Sequence, residues 1–197
     1  MQFQDVVQRR RMVRNFDDQP VPPEVVERIL ANAQRAPSAG FSQGSAFLVL
    51  EGEADTARFW EANFADEAAR DAFRWPGLFR ARLLVVPMSH KQAYLDRYAE
   101  PDKGWTDRDE RHWPVPYWDI DTGFAALLML LTAVDAGFGA LFFGIFRPDR
   151  FRAAFGVPDE YVPIGALAIG WPRPDEPSLS LRRGRRPPGD VIHHGRW

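Results

Sequence analysis

Residues 119–136 form a segment in which apolar side chains occupy almost every helical face. A surface helix shows a single apolar stripe, whereas a helix that is apolar almost all round is buried on most of its faces. The segment therefore predicts a buried helix, which we expect to be central to the fold. Its most apolar part, 124–136, spans about 13 residues and includes Thr132 and Asp135, whereas a bilayer requires about 20. We therefore expect no membrane span.

Shorter patterned segments surround this helix. Apolar residues at helical spacing predict further helices over 3–10, from 23 to near 37, over 54–73 and over 148–155, the last ended by Gly156. Short apolar runs predict strands over 46–50, 83–86, 138–143 and 161–169, the second of them bounded by Pro87. A chain of 197 residues is long enough for one core and does not require a second. We therefore predict a single domain over 1–197.

Two segments show neither the periodicity of a helix nor that of a strand. Residues 91–116 are rich in charge, proline and tryptophan, and we interpret them as a lid-like excursion. With its flanks, about 60–118, this segment is predicted to set specificity. Residues 172–197 contain five prolines and six arginines. Because Val191, Ile192 and Trp197 are apolar and need a docking surface, we expect an extended, ordered arm rather than a tail.

Composition excludes several classes of protein. The chain has no cysteine, which rules out disulfides, thiolate zinc sites and a cysteine nucleophile, and favours a reducing, cytoplasmic location. A net charge of -2 gives no general attraction for nucleic acid or anionic lipid. The N-terminus has no apolar core with a cleavage site, so we do not expect a signal peptide. No H-E-x-x-H motif is present, and we expect no metal site.

Two arginine clusters lie near opposite ends of the chain. Arg10, Arg11 and Arg14 follow the first helix, and 182–186 of the arm contain four more arginines. Guanidinium groups suit phosphate because they donate paired hydrogen bonds and keep their charge. Taken alone, the first cluster also fits a solvated basic turn, and the second fits a disordered tail or a nucleic-acid contact. If the clusters converge, they form a site for one phosphate group.

The glycine-rich segment 137–144 invites a dinucleotide-binding interpretation. However, its spacing is wrong for the glycine fingerprint, and its glycines follow a helix and precede a strand, the reverse of a phosphate-binding turn. We therefore interpret Gly137 as a helix C-cap and Gly139 as a close-packed entry to a strand.

Four motifs in order resemble the nitroreductase family of flavoproteins: RRRMVRNF near the N-terminus, APSAGFSQ at 36–43, GFGALFFGIF at 137–146, and RGRRPPGDVIHHGRW at the C-terminus. The resemblance implies an α+β fold with a mixed β-sheet around a long central helix. It also implies an intertwined homodimer with a C-terminal arm, and one FMN in each of two grooves between the subunits.

The resemblance also assigns cofactor-binding residues. Arg10 and Arg14, with the backbone at Arg11 and Met12, would hold the ribityl-phosphate and pyrimidine side of FMN, and Arg183 and Arg185 would close on the phosphate. The partner subunit's loop would contribute Pro37, Ser38, Ala39, Phe41 and Gln43. The strand after the central helix would face the flavin ring and supply a backbone donor, through Leu141, Phe142, Phe143 and Gly144.

This chain departs from the family pattern at three places. Met12 stands where the family often has serine, and Phe41 where it often has asparagine, so backbone amides would replace two side-chain hydrogen bonds. Gly44 and Ser45 replace a common proline–tryptophan pair, which would alter the floor of the substrate pocket.

The implied activity is transfer of reducing equivalents from NAD(P)H to an electron-poor small-molecule acceptor, such as a nitroaromatic or a quinone, by a ping-pong mechanism. Because flavin carries the chemistry, no catalytic side chain is expected. Phe41, Phe142, Phe143 and the tryptophans of the lid are candidate walls of the acceptor pocket. Two alternatives remain open: a flavin-dependent dehydrogenase or oxidase of the same fold, including one that binds a deazaflavin, and a flavin-sequestering protein without turnover.

Overall fold

The computed structural model describes residues 1–197, which form one five-stranded sheet with helices on both faces. The strands are β1 (Ser45–Glu51), β2 (Leu83–His90), β3 (Gly139–Phe143), β4 (Tyr161–Pro163) and β5 (Ala166–Gly170). The helices are α1 (Phe3–Arg9), α2 (Pro23–Ala33), α3 (Gly52–Asn63), α4 (Glu67–Asp71), α5 (Lys91–Tyr98), α6 (Tyr117–Asp135) and α7 (Pro148–Phe155). The predicted α+β class and the long central helix, α6, are confirmed.

The sheet has the strand order β1-β2-β5-β3, with β4 beside β5 against the other half of β2. We expected a mixed sheet, but all four ladders are antiparallel. Parallel pairing is confined to one isolated bridge between Met12 and Ala140. That bridge holds the N-terminal arginine segment along the outer edge of β3.

The strand β2 continues through Pro87 to His90, three residues beyond the proline that was expected to end it. Residues 83–85 of β2 pair with β5 and residues 88–90 pair with β4, so Pro87 lies where one partner replaces the other. The Pro87 carbonyl accepts from the Ile164 N–H on that edge of the strand. Since proline has no N–H to donate, this break between partners is where a central strand tolerates it.

The predicted strand over 161–169 is divided in two. Gly165 separates β4 from β5 with a φ of 152°. A side chain there would collide with the Phe142 ring, because a Cβ would lie 2.5 Å from its Cζ. The break lets the two short strands follow different halves of β2.

Two clusters of buried apolar residues fill the two faces of the sheet. Leu83 and Val85 point to the α2 and α6 side, where Met129 is fully buried, whereas Leu84 and Val86 point to the α3 and α7 side. This alternation follows from the two-residue period of a strand. Both faces are covered, which accords with the apolar run from Leu83 to Met88.

The central helix α6 is longer than its most apolar stretch. The helix has 19 residues, and an 18-residue window of it has a mean hydropathy of 1.3, enough by length and composition to cross a membrane, but half of this window is buried inside the fold. A core helix passes the same test, and α6 packs against α2 and the sheet. After α6, Phe138 N–H donates to Ala133 and Gly137 N–H donates to Val134, so Gly137 ends the helix as a Schellman C-cap.

The segment 60–118 is less of an excursion than the sequence suggested. It contains β2, and Trp60 is buried in the core. The single polar helix expected over 54–73 is two helices, α3 and α4, joined at the Asp66 N-cap, whose side chain accepts from the Ala69 N–H. Residues 91–116 contain α5 and several ion pairs rather than an aperiodic lid. Aromatic packing, which has no sequence period, holds this part together.

Candidate functional site

An arginine-lined cavity forms where the C-terminal arm returns to the N-terminal segment. Phe16 forms an antiparallel bridge with Pro172, and the Arg173 N–H donates to the Asn15 carbonyl at 2.9 Å. The Arg14 N–H donates to Oδ2 of Asp175 at 2.6 Å, a contact between residues 161 positions apart. The cavity is partly open, has a volume of about 390 Å³ and is lined by Arg10, Arg11, Met12, Arg14, Asp175, Pro177, Ser178, Ser180, Leu181 and Arg185.

The entry of the arm is fixed by a charged pair. Arg173 Nε donates to Oδ2 of Asp17 at 2.8 Å, and these hydrogen bonds lower the pKa of the Asp17 carboxyl. The indole Nε1 of Trp171 donates to the Pro20 carbonyl at 3.2 Å. The first residues of the arm therefore follow a defined path, which delivers the following segment to the cavity.

The cavity carries four guanidinium groups and one carboxylate. Arg14 is held by a hydrogen bond from Nη1 to the Met12 carbonyl at 3.1 Å and lies over the Trp75 ring, 5.0 Å from its centroid. Arginines held in this way lose little side-chain entropy when they bind an anion. The arrangement suits a compact dianion such as a phosphate monoester.

The structure thus brings together most of the arginines that the sequence singled out. Arg10, Arg11 and Arg14 share one cavity with Arg185, although they lie at opposite ends of the chain. Arg183 is exposed and does not line this cavity in a single chain. It is the last residue of a 3-10 turn, Leu179–Arg183.

The strand β3 pairs at Ala140 with Met12, which lines this cavity, and its side chains from 141 to 143 are buried or partly buried. Leu141 is buried, and the Phe143 ring stacks on Trp60 with centroids 5.4 Å apart and planes 16° apart. The Phe142 ring packs against Gly165. Gly144 is exposed, and a Cβ there would meet nothing within 4 Å. Its backbone, rather than the phenylalanine rings, is therefore what this strand offers to a ligand.

The loop at 37–44 borders a second cavity of about 330 Å³. Pro37, Ser38, Phe41 and Gln43 contribute to its lining, together with Asp121 of α6. Ser38 Oγ accepts from the Gln43 N–H at 3.1 Å, which closes the loop on itself. Phe41 is 75% exposed and projects from the loop.

The two cavities share no lining residue within one chain. The same chain exposes apolar side chains on α6 at Tyr117, Ile120, Phe124 and Leu127, spaced so that they lie on one face of the helix. Phe3 and Val7 of α1 are exposed as well. Exposed apolar rows of this kind mark contact surfaces.

Three residues at these sites were not anticipated from the sequence. Asp175 lies in an irregular arm where no pattern marks it. Arg97, whose Nε donates to the Gly40 carbonyl of the loop at 2.9 Å, lies in the segment interpreted as aperiodic. Asp121 did carry a signal. A carboxylate inside an apolar helix is seldom buried unless it is paired, and Asp121 is only 4% exposed.

Comparisons with known proteins identify the family of the chain and its fold. The model of the nitroreductase family matches residues 7–171. An NADPH-dependent oxidoreductase of Staphylococcus aureus strain USA300 is 24% identical over 199 aligned positions, which cover 98% of this chain and 73% of that protein. The crystal structure of a nitroreductase family protein from Clostridium difficile 630 has a TM-score of 0.73 at 23% identity over the whole of both chains. A structure described as a nitroreductase in complex with FMN, from Exiguobacterium sibiricum 255-15, has a TM-score of 0.73 at 22% identity and covers 98% of this chain and 97% of that one.

Proposed function

Since the chain belongs to the nitroreductase family, we propose that it is an FMN-dependent oxidoreductase that passes reducing equivalents from NAD(P)H to an electron-poor organic acceptor by a ping-pong mechanism. The observation that carries this proposal is the single cavity shared by Arg10, Arg11, Arg14 and Arg185. The relatives' own descriptions support it, since they include an NADPH-dependent oxidoreductase and a structure in complex with FMN.

The residues present fit FMN at both of its ends. Guanidinium groups on several sides of the arginine cavity suit the phosphate, and the exposed backbone at Gly144 leaves room for a planar ring to approach. FMN, when bound, would supply the redox chemistry that links the nicotinamide to the acceptor. The protein then needs only to bind and orient the flavin and to exclude water from it. We therefore propose no catalytic side chain.

Each proposed cofactor residue has one of three tasks. Arg10, Arg14 and Arg185 bind the phosphate, with Arg183 closing from the arm, and the backbone at Arg11 and Met12 lies along the ribityl chain. The β3 end, Leu141, Phe142, Phe143 and Gly144, supplies backbone to the ring. The partner subunit's copy of the 37–44 loop covers the ring through Pro37, Ser38, Ala39, Phe41 and Gln43.

We propose that the working unit is a homodimer. The α6 face and the exposed arm leave apolar side chains that one chain does not cover, and the two cavities are separate within a chain. A second copy related by two-fold symmetry covers both surfaces and brings each loop to the other chain's cavity. A cytoplasmic location accords with the absence of cysteine.

The acceptor is proposed to be a planar nitroaromatic or quinone, because an exposed aromatic side chain at Phe41 offers a stacking surface. Within residues 91–116, the helix α5 contacts the loop that carries Phe41, since Arg97 Nε donates to the Gly40 carbonyl and the Tyr98 ring lies against Gly40. We propose that residues 91–116 influence acceptor choice through this loop.

The direct test is spectroscopic. The purified protein is expected to be yellow and to release FMN on heating, with mass spectrometry distinguishing FMN from a deazaflavin. Stopped-flow mixing with NADH or NADPH should bleach the flavin band, and addition of a quinone should restore it. Flavin that neither nicotinamide reduces would contradict the proposed oxidoreductase and favour flavin storage.

A further inference from the structure

The loop at 38–43 has a backbone that its own residues do not favour. Gly40, Phe41 and Gln43 all have positive φ, at 61°, 55° and 52°. For residues other than glycine this left-handed region is disfavoured, and such conformations persist when the surroundings impose them. The hydrogen bond from the Gln43 N–H to Ser38 Oγ lies within the loop, and further restraints come from outside it.

One restraint comes from a buried carboxylate on α6. Oδ2 of Asp121 accepts from the Ala39 N–H at 2.8 Å and from the Tyr94 hydroxyl at 2.8 Å. Tyr94 is fully buried, and its burial together with the Asp121 carboxylate raises the pKa of the phenol, so the hydroxyl stays protonated and keeps donating. A carboxylate this deep is costly without partners, which argues that both contacts are maintained.

A second restraint comes from α5. Arg97 Nε donates to the Gly40 carbonyl at 2.9 Å, while its Nη1 and Nη2 donate to Asp102 at 2.7 and 2.8 Å. The Tyr98 ring closes on Gly40, where a Cβ would lie 2.6 Å from a ring carbon. Tyr94 closes in the same way on Gly44, at 2.5 Å. The loop is thus fixed from α5 and α6 together.

We propose that Asp121 is a positioning residue for the flavin site: through the Ala39 N–H it sets the conformation in which the 38–43 loop meets the partner subunit's flavin ring. This inference rests on the proposed function for the identity of the ligand. It gives residues 91–116 a supporting role at the flavin site, because α5 supplies both Tyr94 and Arg97. Asp121 itself acts through the loop and does not contact the reacting atoms.

The test compares Asp121→Leu with Asp121→Asn, in the full-length chain. The leucine variant removes the acceptor for the Ala39 N–H, so hydrogen exchange at that amide should accelerate at least about tenfold. Affinities for FMN and riboflavin should both fall, each by about tenfold, because the loop meets the ring that the two flavins share. The asparagine variant keeps an acceptor oxygen. Its exchange rate at the Ala39 amide and its flavin affinities should therefore lie close to the wild-type values.

Asp119→Leu is the matched control, since this neighbouring carboxylate on α6 accepts from the Ser89 hydroxyl at 2.6 Å and does not touch the loop. It should leave the Ala39 amide and both affinities unchanged. If Asp121→Leu does not fold, Tyr94→Phe carries the test, because it removes one partner of Asp121 without altering side-chain volume, and it should raise the same exchange rate.

Unchanged exchange and unchanged flavin affinity in Asp121→Leu would overturn the inference, as would a loss confined to FMN. Failure of the proposed function looks different. In that case the wild-type chain binds neither flavin, while the exchange measurement still reports whether Asp121 holds the loop.

Discussion

At the scale of single residues, the arginine cavity shows how weak signals become a site. Arg10, Arg14 and Arg185 each fit a solvated position when considered in their own segments. The arm changes this, because its contacts with Asn15 and Arg14 bring Arg185 to the same cavity as the N-terminal cluster. Arg14 is further fixed over Trp75.

We predict that Arg185→Ala and Arg14→Ala weaken FMN binding by about ten- to a hundredfold, while riboflavin affinity stays nearly unchanged. A charge-assisted hydrogen bond contributes about 1.5–3 kcal/mol, and about 1.4 kcal/mol corresponds to a factor of ten. Riboflavin lacks the phosphate, so comparing the two ligands by fluorescence titration isolates the phosphate contact.

Arg186→Ala provides the control for this pair. The Arg186 guanidinium donates to the Asp190 carbonyl within the arm and does not line the cavity. Its removal should leave both affinities near the wild-type values. Equal weakening of FMN and riboflavin in Arg185→Ala would show that the arginine is structural rather than a phosphate ligand.

At the scale of elements, the sheet depends on the break between β4 and β5. The break allows β2 to exchange partners at Pro87, and Gly165 makes it possible through its φ of 152° and its contact with the Phe142 ring. A Cβ at Gly165 would also lie 2.8 Å from the Phe143 carbonyl oxygen, which is backbone and has little freedom to move.

We predict that Gly165→Ala lowers the free energy of unfolding by about 2–4 kcal/mol, since it combines strain at a special φ with overpacking of the core. Gly189→Ala is the matched control, because Gly189 has an ordinary φ and a Cβ there would meet nothing within 4 Å. Urea unfolding of both variants makes the comparison. Wild-type stability in Gly165→Ala would mean that the break relaxes without cost.

At the scale of the whole molecule, the single chain has apolar surface that it does not cover. Phe124 and Leu127 on α6 are 44% and 46% exposed, and Trp197 at the end of the arm is fully exposed. A long apolar helix that is only half buried fits an assembly in which a second chain covers the remaining face.

We predict that the protein is a dimer of about twice the 22.5 kDa chain mass in light scattering. The double substitution Phe124→Glu and Leu127→Glu should give monomers, because it places charges where apolar faces meet. These monomers should also lose flavin, since each proposed site needs a loop from the other chain. A monomer with normal flavin affinity would disprove the shared site.

Much of the fold followed from local patterns in the sequence. The central helix, the termination of α7 at Gly156 and of α6 at Gly137, and the cores of the strands were all predicted, because periodicity and capping act over a few residues. The four motifs in order also indicated the family to which the chain belongs. Met12, Phe41 and the arginines were visible as candidates at this level.

Tertiary structure decided what those residues can do. The continuation of β2 through Pro87 depends on which strands lie beside it, and the aromatic packing of 91–116 has no period to detect. Phe143 was a candidate wall of the acceptor pocket, but in the fold its ring stacks on Trp60. Asp121, Arg97 and Asp175 act on segments distant in sequence. Sequence records local preference, whereas long-range contacts are fixed only when the chain closes its core and places these side chains side by side.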